Sequence, residues 1–168
     1  MPKEFNDTGL CIPARHYMAD TSAKLEQILY LVAKGKYFTI NRPRQFGKTT
    51  MLSLLAKRLD QMNDYMAFNI SFEGIGDTLF SSEEKFCPAF LRMIARSEMF
   101  TNPEIADYFE KQSFQVRNFE NLSLFISRYM LHINKKAVLM IDEVDKSSDN
   151  QIFLNFLGML RNKYSLSL

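Results

Sequence analysis

The residues best suited to chemistry form the stretch Gly47-Lys48-Thr49-Thr50, which lies between a short apolar run and a helical pattern. The first N–H groups of a helix have no partner within it, so they point toward an anion. Gly47 lets the backbone approach a phosphate closely. Lys48 can reach the outer phosphates, and the Thr49 hydroxyl can bind Mg²⁺. The stretch therefore predicts a phosphate-binding loop at the start of a helix.

The loop before this stretch departs from the usual pattern Gly-x-x-x-x-Gly-Lys-Ser/Thr, because Arg42 stands at the position of the first glycine. Pro43 follows, and it holds Arg42 in extended geometry and offers no N–H. We therefore expect the amides of Gln45, Phe46 and Gly47 to Thr50 to hold the phosphates, with help from the guanidinium of Arg42 or Arg44. The alternative is a purely structural strand, turn and helix.

A second stretch, residues 137–145, reads Ala-Val-Leu-Met-Ile-Asp-Glu-Val-Asp. Its apolar run suits a strand that is buried on both faces. Asp142 would emerge at the carboxyl end of that strand, where ligands bind in open α/β sheets, and is a natural partner for Mg²⁺. Glu143 can polarise a water as a general base. The alternative is a strand followed by a solvated acidic turn, but together the two stretches predict a nucleotide site.

The elements that must position these residues alternate between strands and helices. Such alternation predicts a three-layer α/β fold with a parallel sheet, helices on both faces and the site at the carboxyl strand ends. Together with the phosphate-binding loop, it predicts a fold of the P-loop NTPase type. The predicted strands are 37–41, 66–72 and 137–142. The first predicted helix is capped by Asp20 or Thr21 and ends at Gly35, and the second covers 48–59. The third is capped by Ser81 or Ser82 and runs to about Met99, with Pro88 expected to shorten or kink it. The others are 103–112, one that Asn118 or Asn121 opens, and 151–164, whose large apolar residues we expect in the core.

Composition places the chain among ordinary folded proteins. Its 168 residues fit one domain, and 46% hydrophobic with 24% charged residues suit a proper core. The net charge of +2 gives no general argument for nucleic acid or an anionic membrane. Cys11 and Cys87 are in no metal or redox spacing. No apolar run has the length of a membrane helix, and no signal peptide is visible, so we expect a cytoplasmic protein without a membrane partner.

Three segments carry a resemblance to a known family. They are residues 11–21 (Cys-Ile-Pro-Ala-Arg-His-Tyr-Met-Ala-Asp-Thr), the loop segment from Lys36 to Thr50, and residues 140–145 (Met-Ile-Asp-Glu-Val-Asp). Together they resemble the AAA-ATPase-like family, over nearly the whole chain from about Phe5 to Tyr164. In that family, Arg-Pro-Arg before the Gly-Lys pair is the usual variant. Many bacterial members carry a restriction-endonuclease-like nuclease domain at the C-terminus.

The resemblance implies ATP and Mg²⁺ as ligands and a division into an N-terminal segment, residues 1–20, and an ATPase core, residues 21–168. In related ATPases the N-terminal segment lies against adenine, which makes Ile12, His16 and Tyr17 candidates for that contact; the alternative is that they cover the edge of the core. The family continues beyond this length, so we expect a sheet without its last strands and sensor region and weak or no hydrolysis in this chain. A homo-oligomer, and nucleic acid bound through a C-terminal domain, stay open as partners.

Three functions fit these observations. The first is an ATPase that uses Lys48 and Glu143 in catalysis and Thr49 and Asp142 as metal ligands. The second is a nucleotide-gated module with little hydrolysis that regulates a fused or partner nuclease-like domain. The third is a structural or partner-binding domain with no working site. Glu143 favours the first function, because binding alone needs no carboxylate there. The sequence contains no motif that reads the base, so it does not distinguish ATP from GTP.

Overall fold

The structure is a computed structural model that describes residues 3–6, 11–12, 14–17, 19–41, 47–144 and 149–166, with side chains up to 163. By its internal contacts the chain divides into two compact units, Met1–Tyr65 and Met66–Leu168, called the N-terminal and C-terminal units below.

The N-terminal unit contains two helices that pack against one another, α1 (Ser22–Ala33) and α2 (Lys48–Asp60). Gly35 follows α1 in the left-handed region, with φ of 59°, and its N–H donates to the carbonyl of Val32 at 2.8 Å. This confirms the helix end predicted from that glycine. The apolar positions of both helices repeat at helical spacing, and the buried ones are Ile28, Met51, Leu52, Leu55 and Leu59.

The predicted strand at 37–41 is wrong. Residues 36–41 lie outside any helix or strand, and within the described parts of the chain they pair with no other strand. Their side chains still alternate, with Tyr37, Thr39 and Asn41 exposed and Phe38 and Ile40 half-buried. Alternation predicts an extended backbone, but a strand also needs a neighbour that receives its N–H and C=O groups. The sequence pattern does not show whether such a neighbouring strand exists.

The C-terminal unit holds the sheet. Strands β1 (Tyr65–Ser71) and β2 (Lys136–Asp142) pair in parallel as a two-stranded open sheet. The α/β class and these two strands are confirmed, whereas the sheet is described with two strands in place of the expected three. The unit's helices are a 3₁₀ turn (Asp77–Ser81), α3 (Glu83–Glu98), α4 (Pro103–Ser113), α5 (Phe119–Ile133) and α6 (Gln151–Leu166).

Two of these helices begin at the caps that the sequence predicts. The Ser82 side chain accepts a hydrogen bond from the Lys85 N–H at the start of α3, and the Asn118 side chain accepts one from the Asn121 N–H at the start of α5. Pro88 lies inside α3 and is fully buried, yet the helix is continuous from Glu83 to Glu98. The proline therefore does not shorten the helix.

Aromatic side chains dominate the core of the C-terminal unit. Phe86 and Phe90 of α3 contact Phe156 of α6, with ring centroids 5.0 Å and 4.7 Å apart, and all three are fully buried. Phe153 of α6 is buried as well, while Leu154 is 47% exposed. The large apolar residues of α6 thus serve mainly as core, as their spacing predicts, and burying such rings supplies much of the unit's stability.

We expect Asn118→Ala to lower the free energy of unfolding by about 1 kcal/mol, because it removes the side-chain cap of α5. The capping bond is 2.8 Å long. Asn121→Ala on the same helix is the matched control, since its backbone N–H makes the bond and alanine favours helix. Urea unfolding of both variants measures the difference. Equal stability of the two would show that the cap contributes nothing.

Candidate functional site

The predicted phosphate site begins at Gly47, the residue before the first turn of α2. Gly47 has φ of 74° and ψ of 24°, a left-handed conformation that L side chains rarely adopt. Its carbonyl accepts the first helical bond, from the Met51 N–H at 2.9 Å. A Cβ added there would meet nothing within 4 Å. The glycine is thus required by backbone conformation, and the space beside it is open to a ligand.

The start of α2 is electrostatically suited to an anion. Gly47 has no side chain to cap the helix, and the first turn contains no acidic residue. The first turns of α3, α4 and α5 each contain at least one glutamate. In α2, Lys48 adds a positive charge to the positive end of the helix dipole. Lys48 is half-buried, and Thr49 beside it is exposed. The helix dipole and the Lys48 ammonium would both attract a phosphate.

The N-terminal segment is attached to the same helix. The Cys11 N–H donates to Thr50 Oγ1 at 3.3 Å, and Asn6 donates from its side chain to Cys11 Sγ at 3.5 Å. A tight turn follows, in which the Ile12 carbonyl accepts from the His16 N–H at 2.8 Å and the Ile12 N–H donates to His16 Nδ1 at 2.9 Å. Thr50 therefore anchors the segment that we predict to contact the base.

The turn presents an exposed aromatic pair. Residues Glu4 and His16 form an isolated parallel bridge, which brings Phe5 and Tyr17 together with ring centroids 4.9 Å apart. Phe5 is 87% exposed and Tyr17 54%. Sequence reasoning named Ile12, His16 and Tyr17 but missed Phe5, because nothing in the spacing of Phe5 and Tyr17 reveals that their backbones pair.

The acidic pair lies where the sequence predicts, at the carboxyl end of β2. Asp142 is the last strand residue and is 5% exposed. Its carbonyl accepts from the Phe72 N–H at 3.0 Å, and its Oδ1 accepts from the Glu143 N–H at 2.9 Å. Glu143 is half-buried and has φ of 55°, an uncommon conformation for a residue other than glycine. The turn therefore holds one oxygen of the Asp142 carboxylate.

The strand that carries these acids is less buried than its composition suggests. Lys136 and Ala137 are exposed, Leu139 and Ile141 are half-buried, and Met140 is buried. The expectation of burial on both faces is therefore wrong for the first half of β2. The described sheet has two strands, so each of its strands is an edge strand.

The predicted site residues divide between the two units. Gly47, Lys48, Thr49 and Thr50 belong to the N-terminal unit, whereas Asp142 and Glu143 belong to the C-terminal unit. Arg44, Gln45 and Phe46, along with Arg42 and Pro43, lie outside the described residues.

The described residues give little support for a nucleophilic thiol, a metal cluster or a membrane-spanning helix. Burial raises the pKa of the Cys87 thiol to about 12, with a smaller contribution from the charge of Glu83, so this thiol stays protonated and is a poor nucleophile. Among the described side chains, no three His, Cys, Asp or Glu gather into a metal site. Every helix in the described part of the chain is too short or too polar to cross a bilayer.

Comparison with known proteins agrees with a nucleotide-binding class. A family model described as an AAA-like domain matches residues 10–167, nearly the whole chain. The chain therefore belongs to the AAA-like domain family, which indicates nucleotide binding and confirms the resemblance seen in the motifs. Neither the curated proteins nor the solved structures contain a significant match.

Proposed function

We propose that this chain is the nucleotide-binding core of a three-layer P-loop protein, and that it binds ATP together with Mg²⁺ and hydrolyses it only weakly. The observation that carries the proposal is the start of α2, where a left-handed Gly47 precedes Lys48 and Thr49 with no capping side chain and no acid in the first turn. Helix dipole, backbone amides and a lysine act there on the same anion. Family membership supports the same class of ligand.

Each residue of the phosphate site then has a distinct role. The amides from Gln45 to Thr50 and the guanidinium of Arg44 bind phosphate oxygens. Lys48 neutralises charge that develops on the outer phosphates during transfer. Thr50 has a second task, because its Oγ1 accepts from the Cys11 N–H and so anchors the N-terminal segment.

The acidic residues suit the metal and the water. Magnesium prefers oxygen ligands, and the Thr49 hydroxyl and Asp142 carboxylate supply them. Asp142 is buried and one of its oxygens is already held by the Glu143 N–H, so its carboxylate is pre-oriented. When bound, Mg²⁺ would neutralise phosphate charge. The Glu143 carboxylate would accept a proton from the attacking water.

A titration with nucleotide tests the proposal directly. The purified protein is melted with MgATP, MgGTP, ATP plus EDTA, and no ligand. At a hundredfold excess over the dissociation constant, MgATP should stabilise the folded state by about 2.7 kcal/mol. EDTA should remove part of this gain, because the metal then contributes nothing. A melting curve that no nucleotide shifts would refute ATP binding.

We expect Tyr17→Ala to weaken ATP binding by about tenfold, because base stacking on an aromatic ring is worth roughly 1–3 kcal/mol. The Tyr17 ring is 54% exposed and contacts Phe5. Tyr30→Ala, at a 63% exposed tyrosine of α1, is the matched control and should bind ATP as the parent does. Competition with ATP and with inorganic triphosphate separates the contributions. An equal loss for triphosphate would exclude a base contact.

A further inference from the structure

A groove on the C-terminal unit is lined by residues other than those of the predicted nucleotide site. It has a volume of about 440 Å³ and is bounded by the 3₁₀ turn, the first half of α3 and the loop before α5. Apolar groups of Ile75, Leu79 and Pro88 line it, and none of its lining residues is aromatic. Its volume lies in the usual range for ligand sites, and its open shape suits an extended ligand.

Three cations and one carboxylate, that of Glu84, line the groove, so its lining carries a net positive charge. Lys85 and Arg92 lie on one face of α3, two helical turns apart, and Arg117 comes from the loop before α5. That loop is fastened to α3, because Glu83 Oε2 accepts from the Phe119 N–H at 2.8 Å. Within the described parts of the chain, none of the three cationic side chains forms an ion pair or a hydrogen bond. They are therefore available to an anionic partner.

The groove also includes the point in α3 where one helical N–H donor is missing. Pro88 lies inside α3 and has no N–H, so it cannot donate to the carbonyl of Glu84, four residues earlier. Both residues line the groove. A peptide carries N–H groups that can supply this donor, whereas the phosphodiester group of a nucleic-acid backbone carries none.

We propose that the groove binds an acidic peptide segment of a partner protein, an extended stretch in which carboxylates flank an apolar side chain. The arginines and the lysine match the carboxylates, since guanidinium forks bind them bidentately. The apolar residues match the central side chain, and the helix carbonyl matches a peptide N–H. Single-stranded nucleic acid is disfavoured, because sites of that kind offer aromatic rings for base stacking and this groove has none.

The test uses two fluorescein-labelled peptides of equal length, one alternating glutamate and leucine and one alternating lysine and leucine, together with labelled oligothymidylate. The full chain should bind the acidic peptide, and rising salt should weaken that binding. Arg92→Gln combined with Arg117→Gln should weaken it at least about tenfold, because two charge-assisted pairs are lost. Arg128→Gln, at an exposed arginine of α5, is the matched control and should bind as the parent does.

A second variant keeps the test independent of charge. Gly76 lines the groove in an extended conformation, with φ of −75° and ψ of 156°, and a Cβ there would meet only Thr78 Oγ1 at 3.8 Å. Gly76→Trp should therefore leave the melting temperature unchanged while its ring fills the groove and removes binding of the acidic peptide.

Several results would overturn the proposal. These are no binding of the acidic peptide by the parent, equal binding of the lysine peptide, tighter binding of oligothymidylate, or unchanged binding in both groove variants. Lys48→Ala should bind the acidic peptide as the parent does. The groove can thus be confirmed even if nucleotide binding fails, and the reverse also holds.

Discussion

Lys48→Ala should weaken MgATP binding by roughly a hundredfold and leave the fold intact. Lys48 is the first residue of α2 and is half-buried beside the left-handed Gly47. Its ammonium is the only side-chain charge in the Gly47–Thr50 stretch. Hydrogen bonds to charged groups are worth about 1.5–3 kcal/mol each, so losing the lysine should weaken affinity by roughly a hundredfold. Alanine is the best helix former, so α2 should persist.

The matched control is Lys57→Ala, at an exposed lysine in the last turn of the same helix. It makes the same chemical change at the opposite end of the dipole, and its affinity for MgATP should equal that of the parent. Isothermal titration measures binding, and circular dichroism confirms helix content in both variants. If Lys48→Ala binds MgATP as tightly as Lys57→Ala, the phosphate site has been misassigned.

Helices could be predicted well from this sequence, because their signals are local. The start of α3 at Ser82 and of α5 at Asn118 follows from capping residues, and the end of α1 follows from Gly35. Caps and helical periodicity depend on residues three or four apart, all of which the sequence displays. The 3₁₀ turn at Asp77–Ser81 was not predicted, since the glycines before it indicate only a loop.

Strand pairing could not be predicted in the same way. Residues 37–41 alternate as an extended segment should, yet they pair with no strand in the described regions. By contrast, β1 and β2 pair although residues 72–135 lie between them in the sequence. The left-handed turn at Glu143 is equally hidden, because glutamate carries no preference for that conformation. These features depend on neighbours distant in sequence.

The candidate site also combines features that depend on nearby residues with features that depend on residues distant in sequence. The residue types at Lys48, Thr49 and Asp142 predict phosphate and metal binding. The structure places Lys48 and Thr49 at a helix start and Asp142 at a strand end, as expected. The bond from Cys11 to Thr50 and the contact of Phe5 with Tyr17 join segments whose pairing no motif specifies. The placement of these residues in local elements was therefore predictable, whereas the attachment of the N-terminal segment was not.

Asp142→Asn and Glu143→Gln should separate binding from turnover. Asp142→Asn should weaken the magnesium-dependent part of ATP binding by about tenfold or more, because an amide is a poorer ligand for Mg²⁺ than a carboxylate. Its oxygen can still accept from the Glu143 N–H, which at 2.9 Å holds the turn after β2, so the fold should survive. Binding with EDTA present should match that of the parent.

Glu143→Gln should instead bind MgATP as the parent does and lose about 10²–10⁴-fold in the rate of phosphate release, wherever the parent rate is measurable, because glutamine cannot accept the proton of the attacking water. Glu120→Gln, at an exposed glutamate in the first turn of α5, is the matched control and should retain both activities. Equal loss of binding in Asp142→Asn and Glu143→Gln would show that the pair acts as one structural turn. Unchanged turnover in Glu143→Gln would assign the general base to another residue. If the parent binds MgATP but releases no measurable phosphate, Asp142 remains a binding residue and Glu143 has no catalytic role.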